Sequence, residues 1–212
     1  YQKSLAYAND NYTPGNNVRI FETNWLDPEL YRNAEGTNWQ DEIFQTGLIN
    51  DNSISLSGGS KKTSLFYSGS YLNQEGTLIT TNFKKYNNRL KFNHEIGSGF
   101  TVNGQITYNK ILREGLTVSG HSTNSVIRDA ISFRPVNPIN WSAEDEEYAT
   151  DQDPYLYDPV KTLRNTDRIS SDDELSLSLG LEYKLSEKFT LDVKGNYWTK
   201  LSESSLFHNK ET

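Results

Sequence analysis

Three histidines are the first candidates for metal binding or catalysis, and their spacing argues against both roles. His94, His121 and His208 are far apart in the chain, and none is followed by another histidine two to four residues later. Metal-binding histidines usually occur in such close sets. The chain has no cysteine, which excludes thiolate ligands, a cysteine nucleophile and disulfides. We therefore predict no metal site and no cofactor, and we interpret His94, on an apolar strand face, as a packing residue.

A second group of polar residues has the chemistry of a calcium site. The segment Glu144-Asp145-Glu146-Glu147 is followed by Asp151, Asp153 and Asp158, and carboxylate oxygens are the ligands that Ca²⁺ prefers. The glycine that turns an EF-hand loop is missing from the pattern. A solvated acidic loop is the favoured interpretation, and calcium binding is left open.

No arrangement of residues points to an enzyme. Gly58-Gly59 is not followed by a Lys-Ser/Thr pair that opens a helix, so a tight turn is predicted rather than a phosphate loop. No pair of carboxylates and no Ser/His/Asp set stands out in a chain so rich in serine and aspartate. We expect a protein without catalytic activity.

Four aromatic residues have the chemistry of a ligand site. Trp141, Tyr148, Tyr155 and Tyr157 lie in a long segment rich in asparagine and aspartate. Aromatic rings that stack, next to side chains that form hydrogen bonds, suit a sugar or a peptide. The alternative is that these rings pack the loop onto its neighbours or onto a lid partner. Both interpretations stay open.

Composition limits the possible classes of protein. The 212 residues carry a net charge of −7, which argues against nucleic acid as a partner because phosphate binding needs a basic face. Hydrophobic residues make up only 34% of the chain, yet aromatic residues reach 12%, and a disordered chain would have few of them. The chain has no methionine, which indicates an excerpt of a longer protein.

The elements that must position these residues are strands, because apolar and polar residues alternate over long segments. The clearest segments are 86–96, 100–108, 175–185 and 189–197, with weaker ones at 53–59 and 63–72. Alternation at a period of two gives a strand one apolar and one polar face. The residues that we predict to face lipid are Leu90, Phe92, Val102, Ile106, Leu177, Leu179, Leu181, Leu191 and Val193. The opposite faces, with Arg89, Lys91, Glu95, Asp192 and Lys194, are predicted to face a wet lumen or a missing plug.

The lengths of the strands and of their connections favour a membrane barrel over a soluble β-sandwich. Strands of about 11–13 residues exceed the usual ~5–6 and match the ~9–11 that cross a bilayer. Short turns alternate with long loops, as in outer-membrane barrels. We predict an all-β fold, part of a large antiparallel transmembrane barrel, with two long extracellular loops.

The chain divides into four predicted regions. Residues 1–50 form a long extracellular loop, 51–112 hold barrel strands and hairpins, 113–173 form a second long loop with a short helix, and 174–212 hold further barrel strands. The helix is expected to carry Val126, Ile127, Ala130 and Ile131 on one face, with Ser122 or Thr123 as its cap.

Three runs resemble the barrel start of the SusC/RagA family of TonB-dependent outer-membrane transporters. They are Asn38-Trp39-Gln40-Asp41-Glu42-Ile43-Phe44, then Ser53-Ile54-Ser55-Leu56-Ser57-Gly58-Gly59-Ser60, then Tyr71-Leu72-Asn73-Gln74-Glu75-Gly76. The run Phe133-Arg134-Pro135-Val136-Asn137-Pro138-Ile139 also resembles a proline-rich stretch of that family. Asn38 stands where the family more often has aspartate.

The resemblance implies more than the residues show by themselves. It implies six strands of a barrel of twenty-two, with a plug domain and the remaining strands outside this chain. It also implies import of oligosaccharides or peptides across the bacterial outer membrane, contact with the TonB complex through the missing N-terminal part, a SusD-like surface lipoprotein as lid, and a dimer of transporter–lid pairs. A soluble glycan-binding sandwich and a TonB-dependent siderophore receptor are the alternatives.

Overall fold

The computed structural model describes residues 36–97, 99–116, 125–133 and 158–209. Within them, the helices are α1 Trp39–Ile43, α2 Val126–Ser132 and α3 Pro159–Asn165. The strands are β1 Ile49–Gly59, β2 Thr63–Glu75, β3 Asn82–Ile96, β4 Phe100–Glu114, β5 Thr166–Ser186 and β6 Phe189–His208. In these described ranges, every helix is too short to cross a membrane.

The contacts divide the chain into two units, of which the first comprises Tyr1–Glu42 and Val118–Val160. Its described residues form a small apolar core with an edge-to-face pair of rings, Trp39 and Phe133, whose centroids are 4.8 Å apart. Helix α2 buries Val126 and Ala130 and leaves Ile131 64% exposed, so only part of the predicted apolar face is buried. This helix begins after Ser125, whereas the two predicted caps lie outside the described residues.

The second unit, Ile43–Thr117 and Lys161–Thr212, contains the whole sheet. Six antiparallel strands follow one another in chain order, β1-β2-β3-β4-β5-β6, and each is paired with its neighbour in sequence. This confirms the prediction of an all-β antiparallel fold. The sheet is open, because β1 and β6 are its two edges.

The last two strands are longer than the alternating pattern predicted. β5 begins at Thr166, nine residues before the alternating segment 175–185, and its first half pairs with the second half of β6. The residues 166–173 are mostly polar, so they show no alternation of apolar and polar residues. Their strand conformation comes from pairing with β6 along the whole segment and with β4 from Ile169 onward.

Strand register brings the apolar residues of all six strands onto one face. We call a set of directly paired residues across the sheet a rung, and the side chains of one rung point to the same face. One rung contains Leu56, Tyr67, Leu90, Ile106, Leu177 and Tyr197. The rung two residues nearer the short turns contains Gly58, Leu65, Phe92, Gly104, Leu179 and Gly195. Alternation in separate strands therefore becomes one continuous apolar face and one continuous polar face.

The short turns descend in steps across the sheet, which measures the tilt of the strands. The pair Gly59–Ser64 that closes the first hairpin lies three rungs from Ile96–Phe100, the pair that closes the second. The third hairpin is closed by the pair Ser186–Phe189. On β6, Phe189 lies two residues beyond Leu191, which belongs to the rung of Phe100. The first and third hairpins are therefore staggered by five residues, which is about 16 Å along the strands. Across the sheet they are four strand spacings apart, which is about 19 Å. Turns at one common level therefore require a tilt of about 40°, within the range of β-barrels.

Candidate functional site: the two faces of the sheet

The apolar face is exposed, although it contains most of the large apolar side chains of the sheet. The exposed fractions are 56% for Leu179 and 55% for Val193. The buried apolar side chains among the described residues, such as Trp39, Ile43 and Leu163, lie outside the six strands. Monomeric soluble proteins rarely leave a continuous apolar surface of this kind in water.

Aromatic rings mark both ends of this exposed surface, which we call the apolar band. Tyr71 and Tyr86 face each other at one end, with ring centroids 4.9 Å apart, and Phe100 and Tyr183 at the other, 5.6 Å apart. Outer-membrane barrels have an apolar band between two such girdles. All nine residues that were predicted to face lipid lie on this face: Leu90, Phe92, Val102, Ile106, Leu177, Leu179, Leu181, Leu191 and Val193. Their contact with lipid stays a prediction.

A glycine inside the apolar band is covered by an aromatic ring. Phe92 on β3 lies directly opposite Gly104 on β4. A Cβ atom added to Gly104 would overlap with Cε1 of Phe92. The ring fills the space that a side chain at Gly104 would occupy, an arrangement that compensates for glycine in a strand. By contrast, a Cβ atom added to Gly195 in the same rung would meet nothing within 4 Å.

The polar face carries hydroxyl, amide and charged side chains at the level of the apolar band. It lines a cavity of about 730 Å³ near the first short turn, whose polar lining includes Ser57, Ser64, Lys91, Asn93, Asn103, Gln105 and Ser178. On the same face, Lys194 forms an ion pair with Asp192 at 2.7 Å. A surface of this composition suits water, a polar ligand or a polar part of a protein.

Beyond the apolar band, away from the short turns, the polar face has a network of charges. Asp172 accepts hydrogen bonds from Arg113 at 2.8 Å and from Ser202 at 2.7 Å, and Lys200 lies 3.5 Å from it. The Arg113 bond, followed by that from Ser202, lowers the pKa of the Asp172 carboxyl from 3.8 to about 2. Lys200 also lies 3.4 Å from Glu174. This network joins β4, β5 and β6 where the strands leave the apolar band.

At the level of this charge network, polar side chains also contact each other on the face that carries the apolar band. Asp173 accepts hydrogen bonds from the Tyr108 hydroxyl at 2.5 Å and from Lys110 at 3.2 Å. Further along, Lys84 forms an ion pair with Glu114 at 3.1 Å. The apolar surface is therefore limited to a band and does not run the full length of the strands.

The structure describes only some of the candidate residues that the sequence analysis named in the long loop and among the histidines. Trp141, Tyr148, Tyr155 and Tyr157 lie outside the described residues, as do His121 and the acidic residues from Glu144 to Asp153. Asp158 is described, and its Oδ1 accepts a hydrogen bond of 2.8 Å from the Val160 amide at the start of α3, which is the contact of a helix cap. His94 Nδ1 lies 2.8 Å from the Thr63 hydroxyl across the β2–β3 pair.

One aromatic residue on the polar face was missed by the sequence reasoning. Trp198 belongs to the same parity as Asn196 and Lys194, and its rung places it opposite Ser176. The alternating segment was ended at Tyr197, one residue earlier. Counting parity one step further along β6 would have assigned Trp198 to the polar face.

Comparison with known proteins agrees with this geometry, although no protein-family model matches the chain. The chain is 29% identical over 103 residues to TonB-dependent receptor P3 of Formosa agariphila, covering 47% of this chain and 10% of that protein. It is 29% identical over 120 residues to TonB-dependent receptor SusC of Bacteroides thetaiotaomicron, covering 51% of this chain and 10% of that protein. The chain thus spans about a tenth of the length of these curated relatives.

Solved structures agree on the fold. The sheet superposes on a chain of the RagAB peptide transporter with a TM-score of 0.60 and 20% identity, covering 81% of this chain and 20% of that one. The closed-closed state of the RagAB peptide importer gives a TM-score of 0.59 at 21% identity, with the same coverage. The curated relatives and the shared fold together support a SusC/RagA-like fragment, similar in sequence to TonB-dependent receptors.

Proposed function

We propose that this chain is a wall segment of a SusC-like importer in the bacterial outer membrane. The observation that carries the proposal is the register, which aligns the apolar residues of six strands on one exposed face bounded by aromatic rings. In lipid, every backbone polar group needs a partner, and only helices and closed barrels provide this. The open edges at β1 and β6 would then pair with further strands of the same polypeptide.

The polar face would line the interior of the barrel. Its serine, asparagine and charged side chains suit a wet passage, whereas they would be costly against lipid. The stagger of the short turns supports closure into a barrel, because the tilt of about 40° that would bring these turns to one level is a tilt typical of barrels. The segment would form the wall of the passage.

The cargo and partners are proposed from the relatives. We propose oligosaccharides or peptides as cargo, since one relative is a SusC protein and the solved relatives are described as peptide transporters. A SusD-like surface lipoprotein would act as the lid, the TonB complex would supply energy, and two transporter–lid pairs would form a dimer. No residue of the chain is assigned a catalytic role.

The alternatives are less well supported. A soluble β-sandwich needs a second layer against the apolar face, and the described residues form a single sheet whose apolar side chains are exposed or half-buried. A siderophore receptor would share the barrel, but neither curated relative is described as one. The SusC-like importer is therefore preferred.

Site-directed spin labelling of the intact protein in lipid vesicles tests the orientation of the sheet. Labels at Leu177 and Val193 should be relaxed by lipid-soluble oxygen, and labels at the neighbouring Ser178 and Lys194 by a water-soluble reagent. Equal access of the water-soluble reagent to both pairs would reject the barrel. Uptake of candidate cargo should in addition disappear when TonB is removed, and TonB-independent uptake would reject the proposed mechanism.

A further inference from the structure

The turn that joins β2 to β3 is fixed to an earlier segment of the chain. Its four residues, 78–81, are closed by a hydrogen bond of 3.3 Å from the last amide to the first carbonyl. The Ile79 amide donates to the Ile43 carbonyl at 3.0 Å, and Leu78 is bridged to Phe44. Leu78 is also buried, with 7% of its surface exposed. The turn is therefore a firm support at the end of the sheet opposite the short turns.

The third residue of this turn has a strained backbone. Thr80 has a φ of +63° and is the one residue other than glycine with a positive φ among the residues that the structure describes. Glycine or asparagine normally supplies a positive φ at this position of a turn. For a β-branched residue the conformation is a genuine outlier. Strain of this kind persists only where the surrounding contacts hold it, and it is common in segments that switch between two states.

The hydroxyl of Thr80 makes a contact that glycine could not make. Thr80 Oγ1 donates a hydrogen bond of 3.1 Å to the carbonyl of Leu163, in the last turn of α3. The last carbonyls of a helix have no partner within the helix, so this bond supplies one. Thr80 is exposed, which allows water to compete for the same carbonyl. The residue that strains the turn is thus the residue that fastens the end of α3 to it.

The start of the same long connection also lies against this turn. Gly115 follows β4 directly and has a φ of +90°. A Cβ atom added to Gly115 would lie 2.7 Å from the carbonyl oxygen of Thr80 and 2.9 Å from Cα of Thr81. The Gly115 amide donates to the carbonyl of Arg168 in β5 at 2.8 Å. The connection between β4 and β5 therefore leaves the sheet and returns to it at one turn, as in loops whose two ends are close.

We propose that the turn 78–81 is a latch on the connection between β4 and β5, with Thr80 as its strained catch. In the closed state, which the structure shows, the catch holds the end of α3 beside the residue that follows β4. In the open state, Thr80 relaxes to a negative φ, its hydroxyl leaves Leu163, and Gly115 separates from the turn. Opening frees both ends of the long connection together, because both depend on the same turn.

The strain at Thr80 makes this latch easier to open than an unstrained one. Relaxation of the backbone returns part of the free energy that is lost with the hydrogen bond, and water replaces the hydroxyl at the carbonyl of Leu163. Local opening of this kind is normal where few contacts hold a segment. The latch adds a moving part to a wall that the proposed function treats as fixed. It stands on contacts within the second unit and requires neither a particular cargo nor a closed barrel.

Amide hydrogen exchange of the intact, detergent-solubilised protein, read by mass spectrometry, tests the latch. The Gly115 amide is the reporter, because its hydrogen bond closes the base of the connection. Thr80→Val removes the hydroxyl and keeps the branched Cβ, so exchange at Gly115 should become roughly two- to tenfold faster, the effect of losing one ordinary hydrogen bond. Thr80→Ser keeps the hydroxyl and should exchange no faster than the wild type. Thr80→Gly lacks both the hydroxyl and the strain and should exchange more slowly than Thr80→Val.

A second variant opens the latch from its other side. In Gly115→Ala the new methyl group would press on backbone atoms of the turn, so amides of residues 161–168 should exchange faster although Thr80 is unchanged. Adding Thr80→Val to this variant should change exchange little, since the latch is already open. Additive effects of the two substitutions would show that the two contacts are independent and would overturn the single latch.

Thr77→Val is the matched control, because it removes an exposed hydroxyl of the same turn region that bonds to none of the described residues. It should exchange like the wild type. The amides of Gln105 and Ser178 at the centres of β4 and β5 should exchange equally in every variant, and faster exchange there would reveal a general loss of stability and overturn the latch. Unchanged exchange at Gly115 in Thr80→Val would overturn it as well. Equal exchange at Gly115 in Thr80→Val and Thr80→Gly would overturn the strained catch.

Discussion

The position of Leu179 in the middle of the apolar band gives a quantitative test of the fold in its membrane. On β5 the band runs from Leu175 to Tyr183, and Leu179 lies four residues from each end. Eight residues at about 3.3 Å each, tilted by about 40°, cover about 20 Å of bilayer. In the proposed barrel, Leu179 would therefore lie about 10 Å from either interface. At this depth an arginine that faces lipid costs about 2–4 kcal/mol, and near an interface about 0–1 kcal/mol.

Three arginine variants of the intact protein separate the effect of face from the effect of depth. Leu179→Arg should lower the free energy of unfolding from lipid vesicles by about 2–4 kcal/mol, and Tyr183→Arg on the same face by about 0–1 kcal/mol, apart from any loss of ring packing. Ser178→Arg, the adjacent residue on the polar face, should change it little. The measurement is urea titration with heat-modified gel mobility as readout. Equal costs at Leu179 and Ser178 would refute the assignment of faces, and equal costs at Leu179 and Tyr183 would refute the depth.

Three further outcomes are expected. Gly104→Ala should destabilise the intact protein by about 1 kcal/mol in the same unfolding assay, because the new methyl group displaces the Phe92 ring. The double variant with Phe92→Ala should lose this additional cost, and an unchanged cost would contradict the explanation. This 212-residue chain, expressed alone in buffer without detergent, should aggregate or stay unfolded because of its exposed apolar face and its two open edges, and a sharp cooperative melt from a soluble monomer would contradict this. Deletion of Trp141–Tyr157 should leave barrel assembly intact by gel mobility but impair uptake or co-purification of the lid, and unchanged uptake and lid binding would leave the loop a purely structural role.

Strand alternation predicted the faces of the sheet because it is a local property of the sequence. Leu177, Leu179 and Leu181 alternate with Ser178 and Gly180, so the face of each residue follows from its parity alone. The order of the strands also followed, since antiparallel neighbours in sequence are joined by short turns. These features require no knowledge of distant contacts.

Other features depend on pairing between distant segments, which a periodic pattern does not reveal. The first half of β5 contains Ser170, Ser171 and Asp172, residue types that occur mainly in turns. Pairing with β4 and β6 and the bonds from Arg113 to Asp172 hold it extended.

The contrast between the two ends of the sheet has a consequence for how such a wall enters a bilayer. At one end the connections are three residues or fewer, whereas at the other β4 and β5 are joined by more than fifty residues rich in charge. The kinetic barrier to insertion is far higher when a long charged segment must cross the hydrocarbon than when only a two-residue turn such as Glu187-Lys188 crosses it. Insertion is therefore fastest with the short turns leading. In the proposed barrel, this difference in barrier height would favour one orientation of the wall over the other.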